Sequence, residues 1–345
     1  MIVTTAHWPG DPRLNRHVRY LRDIGLEASI TAFQSDTRAG RLVNVLKVAR
    51  LIWSRRPYAV IVPDPELFVV AAVAARLRGT MAVIDIHEDY SRAARGRKWI
   101  PDWLKPGASS LARLNTWLGR VTAHTTLVAA PELSAGKSVL VLNTPNPTDF
   151  EIATDRDDPP MVIYVGDVTE ARGALAMAEL ANRLPGIRFL VIGRVSEDLS
   201  EKMTGIAASG NLELPGRLPH EEAWTRAQGA TAGLSLLEPW PAYEDAVATK
   251  LWEYCSAGIA PVVTSLRGQR GFVAQIDPGL AVDDLEGAVR LIGRLAAEPD
   301  WAKDLSGRAR IVAEDAWARS RPDRAIQEAL VPRPIALNAG PSAEN

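Results

Sequence analysis

Glu253 is the residue whose surroundings most need an explanation. It lies in TKLWEYCSAGIAPVV (249–263), a helix-like run that ends at Ala257-Gly258 and leads into an apolar strand. Lys250, Glu253 and Ala257 recur at spacings of three and four and so share a helical face. Trp252 and Tyr254 flank the carboxylate, and a carboxylate among apolar neighbours needs partners for both oxygens. A pair of ligand hydroxyls meets that need; a surface pair with Lys250 is the plainer alternative. The loop feeding this helix, EPWPAYEDAVATK (238–250), holds Glu238, Glu244 and Asp245. These carboxylates suit hydrogen bonding to sugar hydroxyls, or else capping and solvation. Paired carboxylates also serve glycoside hydrolysis, although the strand–helix pattern disfavours it.

Two further segments have chemical potential. YVGDVTEARG (164–173) joins a strand to a helix, with a glycine at each end of the loop. A helix start there offers free N–H groups to a phosphate, and Arg172 adds a positive charge. The spacing matches neither a dinucleotide fingerprint nor a P-loop, so an ordinary turn with a surface arginine remains open. IDIHEDY (84–90) places His87, Glu88 and Asp89 after a strand. A histidine there can donate to a phosphate or a sugar hydroxyl, or serve only the loop. A metal held by His87 with Asp85, Glu88 and Asp89 matches no standard spacing.

The elements that must position these residues alternate regularly. IVTTA, EASITAF, YAVIVP, MAVIDIH, HTTLVAA and SVLVLN read as strands in the first half, separated by helical patterns such as PRLNRHVRYLRDIG (12–25). ATDRDDPP (153–160) breaks the pattern, and MVIYVG (161–166) restarts it. Two βα series predict two doubly wound Rossmann-like α/β domains facing across a cleft, with ligands at the carboxyl ends of the strands. The predicted division is a first domain over 1–152, a linker over 153–160 and a second domain over 161–318. A C-terminal helix over 319–331 is expected to pack back toward the first domain, and 332–345 to be a flexible tail. Strand-end residues therefore become candidates: Asp11 and Arg13 in the first half, and Gly166, Arg194, Arg217, Glu244, Asp245, Thr249 and Lys250 in the second.

Composition sets the bounds. The 345 residues are 47% hydrophobic and 23% charged, ordinary for a globular chain and enough for sizeable cores. The single cysteine, Cys255, excludes a disulfide framework. The start MIVTTAHWPGDPR lacks a basic, then apolar leader, and Asp64, Pro65 and Glu66 interrupt the most apolar stretch. A cytoplasmic protein is expected. Charge is uneven: residues 1–150 hold 20 Lys and Arg against 12 Asp and Glu, residues 151–345 hold 20 against 29. The basic half includes Arg38, Arg41, Lys47, Arg50, Arg55 and Arg56, and a second group, Arg92, Arg95, Arg97 and Lys98, precedes Trp99 and Trp103. Peripheral contact with an anionic membrane is one reading; aromatics packed in a core is the other. No nucleic-acid module is present, so no nucleic-acid partner is expected.

Taken together, DPRLNRHVRYLRDIG (11–25), IDIHEDY (84–90), YVGDVTEARGALAMAEL (164–180) and TKLWEYCSAGIAPVV (249–263) resemble the retaining nucleotide-sugar glycosyltransferases of family 4, with the GT-B fold. The resemblance covers most of residues 1–330. It implies that Glu253 binds both ribose hydroxyls of the donor, that Arg172 binds its pyrophosphate, and that His87 lies beside the transferred sugar. It also implies that Asp245, eight positions before Glu253, touches sugar hydroxyls. With the strand-end residues this gives His87, Arg172 and Lys250 as catalytic candidates. Gly166, Arg194, Arg217, Glu244, Asp245, Thr249 and Glu253 are donor-binding candidates, and Asp11, Arg13, Glu88 and Asp89 acceptor-side candidates. Two departures stand out. Asp167 occupies a position where the family commonly has a basic residue, and HWPGDPR has only Gly10 where the family's loop is richer in glycine.

The resemblance implies sugar transfer from a nucleotide-diphosphate sugar to a hydroxyl acceptor (a small molecule, glycan or lipid-linked compound), with retention and with no cofactor or metal. A sugar-nucleotide epimerase of related fold and a catalytically silent sugar-nucleotide-binding protein are the alternatives. A dinucleotide-dependent dehydrogenase lacks its glycine fingerprint here.

Overall fold

The strands form where apolar residues run nearly unbroken, as expected for parallel sheets with both faces covered. The computed structural model describes residues 1–5, 11–33, 38–97, 100–153, 158–241 and 243–330. The residues expected to form the glycine-poor loop (His7–Gly10), Lys98 and Trp99, most of the linker, and the tail from 331 lie outside the described residues. In chain order the elements of the first part are β1 (Ile2–Thr4), α1 (Pro12–Arg22), β2 (Ile30–Ala32), α2 (Arg38–Arg55), β3 (Ala59–Val62), α3 (Phe68–Arg78), β4 (Met81–Ile86), α4 (Tyr90–Gly96), α5 (Lys105–Thr122), β5 (Thr125–Val128) and β6 (Ser138–Leu140). There follow β7 (Met161–Val165), α6 (Ala174–Arg183), β8 (Arg188–Ile192), α7 (Glu197–Ile206), β9 (Leu212–Gly216), α8 (His220–Ala227), β10 (Ala232–Ser235), α9 (Thr249–Ser256), β11 (Ala260–Thr264), α10 (Arg267–Val273), β12 (Ala281–Val282), α11 (Leu285–Ala297), α12 (Pro299–Ser320) and α13 (Pro322–Leu330).

The chain divides into two units, each built on a parallel sheet. Among the described residues the first sheet has six strands in the order β2-β1-β3-β4-β5-β6, and the second six in the order β12-β11-β10-β7-β8-β9. Each sheet starts in its interior and grows in both directions. The strand order therefore reverses between β1 and β3 in one sheet and between β7 and β10 in the other. The second core packs Tyr164, Phe189, Tyr254 and Leu251 with the aliphatic residues of β7, β8, β10 and β11. The first packs Val62 and Ile84 of the sheet with Val48 and Ile52 of α2 and Phe68 and Ala71 of α3.

The unit boundary differs from the one read from the sequence. It falls between Leu142 and Asn143, about ten residues before the expected position at 152. The cause is packing: Asn143 Nδ2 donates to Thr249 Oγ1 at 2.7 Å, and the Phe150 ring meets Trp224 edge-on at 5.1 Å. Residues 143–153 are thus tied to the second unit. From Ser320 the chain rejoins the first unit. There α13 packs on α1, and Gln327 Nε2 donates to the Tyr20 carbonyl at 2.7 Å. Among the described residues no helix is long and apolar enough to cross a membrane.

Candidate functional site

The second sheet is pried open where its strand order reverses. β7 and β10 pair at Ala232 with Val162 and at Gly233 with Ile163. Continued one step, that ladder would join the Val165 N–H to the Leu234 carbonyl. Instead the Tyr254 hydroxyl stands between them, accepting from Val165 N at 3.2 Å and donating to Leu234 O at 3.1 Å. Tyr254 comes from α9 and is fully buried. The direct β7–β10 pairing extends only to Gly233 and Ile163, and the loop after β7 begins at Gly166.

That loop runs from Gly166 to Gly173 and ends at the start of α6. Its path depends on two close approaches. A Cβ on Gly173 would collide with the Leu236 carbonyl oxygen, and one on Gly193 with the Gly166 carbonyl oxygen. The Glu238 N–H bonds the Ala171 carbonyl at 3.0 Å, which fixes the loop to the end of β10. The first N–H groups of α6, a ten-residue helix, lie just beyond this loop.

Lys250 reaches the same place from the first turn of α9. Its Nζ sits 3.4 Å from the centre of the Tyr164 ring, and a Cβ on Gly166 would lie 3.3 Å from it. Nζ is buried and has no hydrogen-bond partner among the described residues. Burial, then the charge of Arg172, pushes its pKa well below the ordinary lysine value, against the pull of Glu253 and Asp167. An amine there has the ring face on one side and spare donors to offer a ligand.

Asp167 meets two arginines. Arg172 Nη1 donates to the Asp167 carbonyl at 3.3 Å and lies 3.9 Å from Oδ2; Arg194 Nη2 lies 3.5 Å from Oδ2. Arg172 is half-buried and Arg194 exposed. One loop carboxylate thus faces the guanidinium groups of two residues expected to bind the donor.

Glu253, one turn after Lys250, is buried on α9, with Oε1 3.6 Å from His220 Nε2. His220 opens α8, and its ring lies 6.0 Å from that of Phe150. It is absent from the sequence candidates. Its only signal is its position at the end of the Gly216–His220 stretch after a strand. Thr249 begins α9 and is held by Asn143. Glu244 is half-buried, and its carbonyl accepts from Gly268 N at 2.9 Å. Asp245 is exposed, bonded to Arg267 Nε at 2.6 Å, so its carboxylate is shared with a cation that sequence reading missed. Arg217 is exposed just after β9.

The first unit treats its candidates differently. Arg13, expected on the acceptor side, is buried instead. Its Nε and Nη2 donate to the two oxygens of Asp85 at 3.1 and 2.7 Å, and Nη1 donates to the Val141 carbonyl at 3.0 Å. The reason is Asp85, a fully buried carboxylate that needs a cation. Burial alone would raise the Asp85 pKa; Arg13, with help from His87 and His17, holds it well below the carboxylate range. Asp11 departs too: its Oδ1 accepts from the N–H groups of Arg13 and Leu14, capping α1 ahead of Pro12. Asp89 likewise accepts from Ser91 and Arg92 at the start of α4, and Glu88 is exposed. His87 is half-buried, with Nε2 3.8 Å from Asp85 Oδ2. Two of the three carboxylates of the metal reading thus already have protein partners: Asp85 is paired to Arg13, and Asp89 is engaged as a cap.

Residues 172–324 match a protein family described as glycosyl transferase-like. No curated protein matches the sequence significantly. Among solved structures the chain is similar to sucrose-phosphate synthase (tll1590) from Thermosynechococcus elongatus, with a TM-score of 0.69 and 14% identity over 95% of this chain and 96% of that one. It is also similar to Anabaena Alr3699/HepE, solved with UDP and glucose, at 0.68 and 12% over 95% and 98%. A glycosyltransferase from Rickettsia africae ESF-5 gives 0.64 and 14% over 95% and 97%. The chain has the GT-B fold. The matched family segment begins at Arg172 and so takes in Lys250 and Glu253 but stops short of Gly166 and Asp167.

Proposed function

We propose that this protein is a glycosyltransferase that moves a sugar from a nucleotide-diphosphate sugar to a hydroxyl acceptor, with retention of configuration and without a metal. The observation that carries the reading is Lys250: a buried amine without a hydrogen-bond partner among the described residues, beside a glycine and ahead of a helix start, at the switch point of the sheet. A diphosphate supplies acceptors for the Lys250 Nζ donors, and the α6 N–H groups and Arg172 share its charge. Glu253 accepts from the ribose hydroxyls. HepE, of similar fold, was solved with UDP-glucose, which agrees with a donor of this class.

In the reaction the bond from the sugar C1 to the diphosphate oxygen breaks, and its electron pair leaves with the diphosphate. Lys250, Arg172 and the α6 N-terminus stabilise that growing charge more than they stabilise the intact donor. The acceptor oxygen bonds C1 from the face the diphosphate leaves, and its proton passes to a departing phosphate oxygen. No protein nucleophile is required.

One observation favours a second reading, a sugar-nucleotide-binding protein without turnover: Asp167 competes for both arginines. Mass-spectrometric product detection with a panel of nucleotide sugars and pooled acceptors separates the two. A glycosylated product whose anomeric configuration matches the donor's, formed in the presence of a chelator, supports transfer as described. Binding of the donor with neither transfer nor hydrolysis supports the second reading.

A further inference from the structure

The outer helices of the first unit expose a surface for which the proposed transfer has no use. α3 packs against both α2 and α5. Apolar side chains that face solvent recur at helical spacing on all three: Leu46 and Trp53 on α2, Val73 and Leu77 on α3, Leu114 and Trp117 on α5. Leu46 and Leu77 are 71% and 72% exposed, and Trp117 is 57% exposed. Trp53, Val73 and Leu77 line one groove, and the Arg78 guanidinium stacks over Trp53 at 4.7 Å. A water-facing surface has no need of so many large apolar side chains on neighbouring helices.

Charge selects the occupant. α2, α3 and α5 together carry ten Lys and Arg residues and no Asp or Glu. A second copy of the same face would bring like charges together, and the apolar residues alone would not discriminate among partners. We propose that the outer face of α2, α3 and α5 is a peripheral binding surface for an anionic lipid bilayer. Leucine and tryptophan enter the headgroup boundary, while Lys47, Arg50 and Arg113 reach anionic headgroups from their apolar stems. The helices lie on the bilayer and do not span it. The inference stands whether or not the protein transfers sugar.

The test is co-sedimentation of the full chain with vesicles of phosphatidylcholine alone or with equal parts phosphatidylglycerol. Binding to the anionic vesicles is expected to be at least about tenfold stronger at low salt and to weaken steeply by about 0.5 M salt, as screening shortens the reach of each charge. Leu77→Glu with Trp117→Glu and, separately, Arg50→Glu with Arg113→Glu should each lower it about tenfold or more. Each basic residue contributes roughly a fivefold factor at such a surface. All four side chains are exposed, so folding is expected to persist, and thermal unfolding checks it. Ile311→Glu, exposed on α12, is the control and should bind as the wild type does. Equal binding to both vesicle types, or face variants that bind like the wild type, overturns the proposal. A dimer formed through this face without vesicle binding overturns it as well.

Discussion

The Lys250 amine lies over the ring of Tyr164 at 3.4 Å and next to Gly166. Because burial lowers its pKa below that of an unfolded lysine, the unfolded chain binds more protons between the two values. Stability from this site therefore rises with pH through that window and falls as pH drops toward the folded pKa. Lys250→Met should raise the melting temperature of the ligand-free protein at neutral pH, and the gain should shrink toward pH 10. UDP should stabilise the wild type more than the variant. Equal UDP stabilisation of both proteins would remove Lys250 from the site.

Asp167 carries the same sign of charge as a diphosphate and faces both Arg172 and Arg194. Its carboxylate is about one-third exposed, so water moderates the effect. Asp167→Asn is expected to tighten UDP binding by roughly threefold to tenfold. Isothermal titration measures it, and an unchanged affinity would mean that the carboxylate swings clear when ligand enters.

Legibility in the sequence followed the range of the interactions. The strands of both sheets were visible because parallel strands buried on both faces are written as local apolar runs, such as MVIYV at β7 and AVIV at β3. The strand–loop–helix unit at 166–173 was visible because Gly166, Arg172 and Gly173 are close together in sequence. Arg13 was misread because its partner, Asp85, is 72 positions away, and nothing in DPRLN marks the arginine as buried. The unit boundary was misplaced for a similar reason. Prolines and charges at 153–160 mark a break in periodicity, whereas the side chains of Asn143 and Phe150 decide which core the preceding segment joins.

His17 is buried beside the Arg13–Asp85 pair. Its Nδ1 is 3.5 Å from Asp85, yet burial, followed by the charge of Arg13, takes its pKa down to about 3. The ring is therefore neutral at ordinary pH, and the contact is not an ion pair. Between the unfolded value near 6.5 and about 3, only the unfolded chain gains the proton, so stability is lost as pH falls through that range. His17→Gln should flatten the acid dependence of unfolding by up to about 1.4 kcal/mol per pH unit. Denaturant titrations between pH 4 and 7, values set by that window, test it. Parallel curves for the two proteins would place the acid sensitivity elsewhere.

Glu253 and His220 lie 3.6 Å apart on two different helices. If Glu253 accepts from both ribose hydroxyls, Glu253→Gln should weaken UDP binding by about tenfold to a hundredfold while leaving the fold intact. The sharper measurement pairs the variant with a ligand lacking the 2′-hydroxyl. In the wild type, that deletion should cost most of the same affinity; in the variant, little more should be lost. Independent, additive losses would show that the carboxylate acts on something other than the ribose.

The Tyr254 hydroxyl bridges Val165 N–H and Leu234 C=O inside the core, at the point where β7 and β10 part. Tyr254→Phe keeps the ring and removes only the bridge. Two buried backbone groups then lose a partner, which costs about 1–3 kcal/mol. The strands could recover that loss by closing the ladder directly, Val165 to Leu234, since the register allows it. Closure would draw Gly166 toward β10 and narrow the space beside Lys250. The variant should therefore be less stable than the wild type, or recover its stability and bind UDP at least about tenfold more weakly. Thermal unfolding and UDP titration on the same sample distinguish these two outcomes. A variant unchanged in both would show that the hydroxyl neither satisfies the strands nor holds the crevice open.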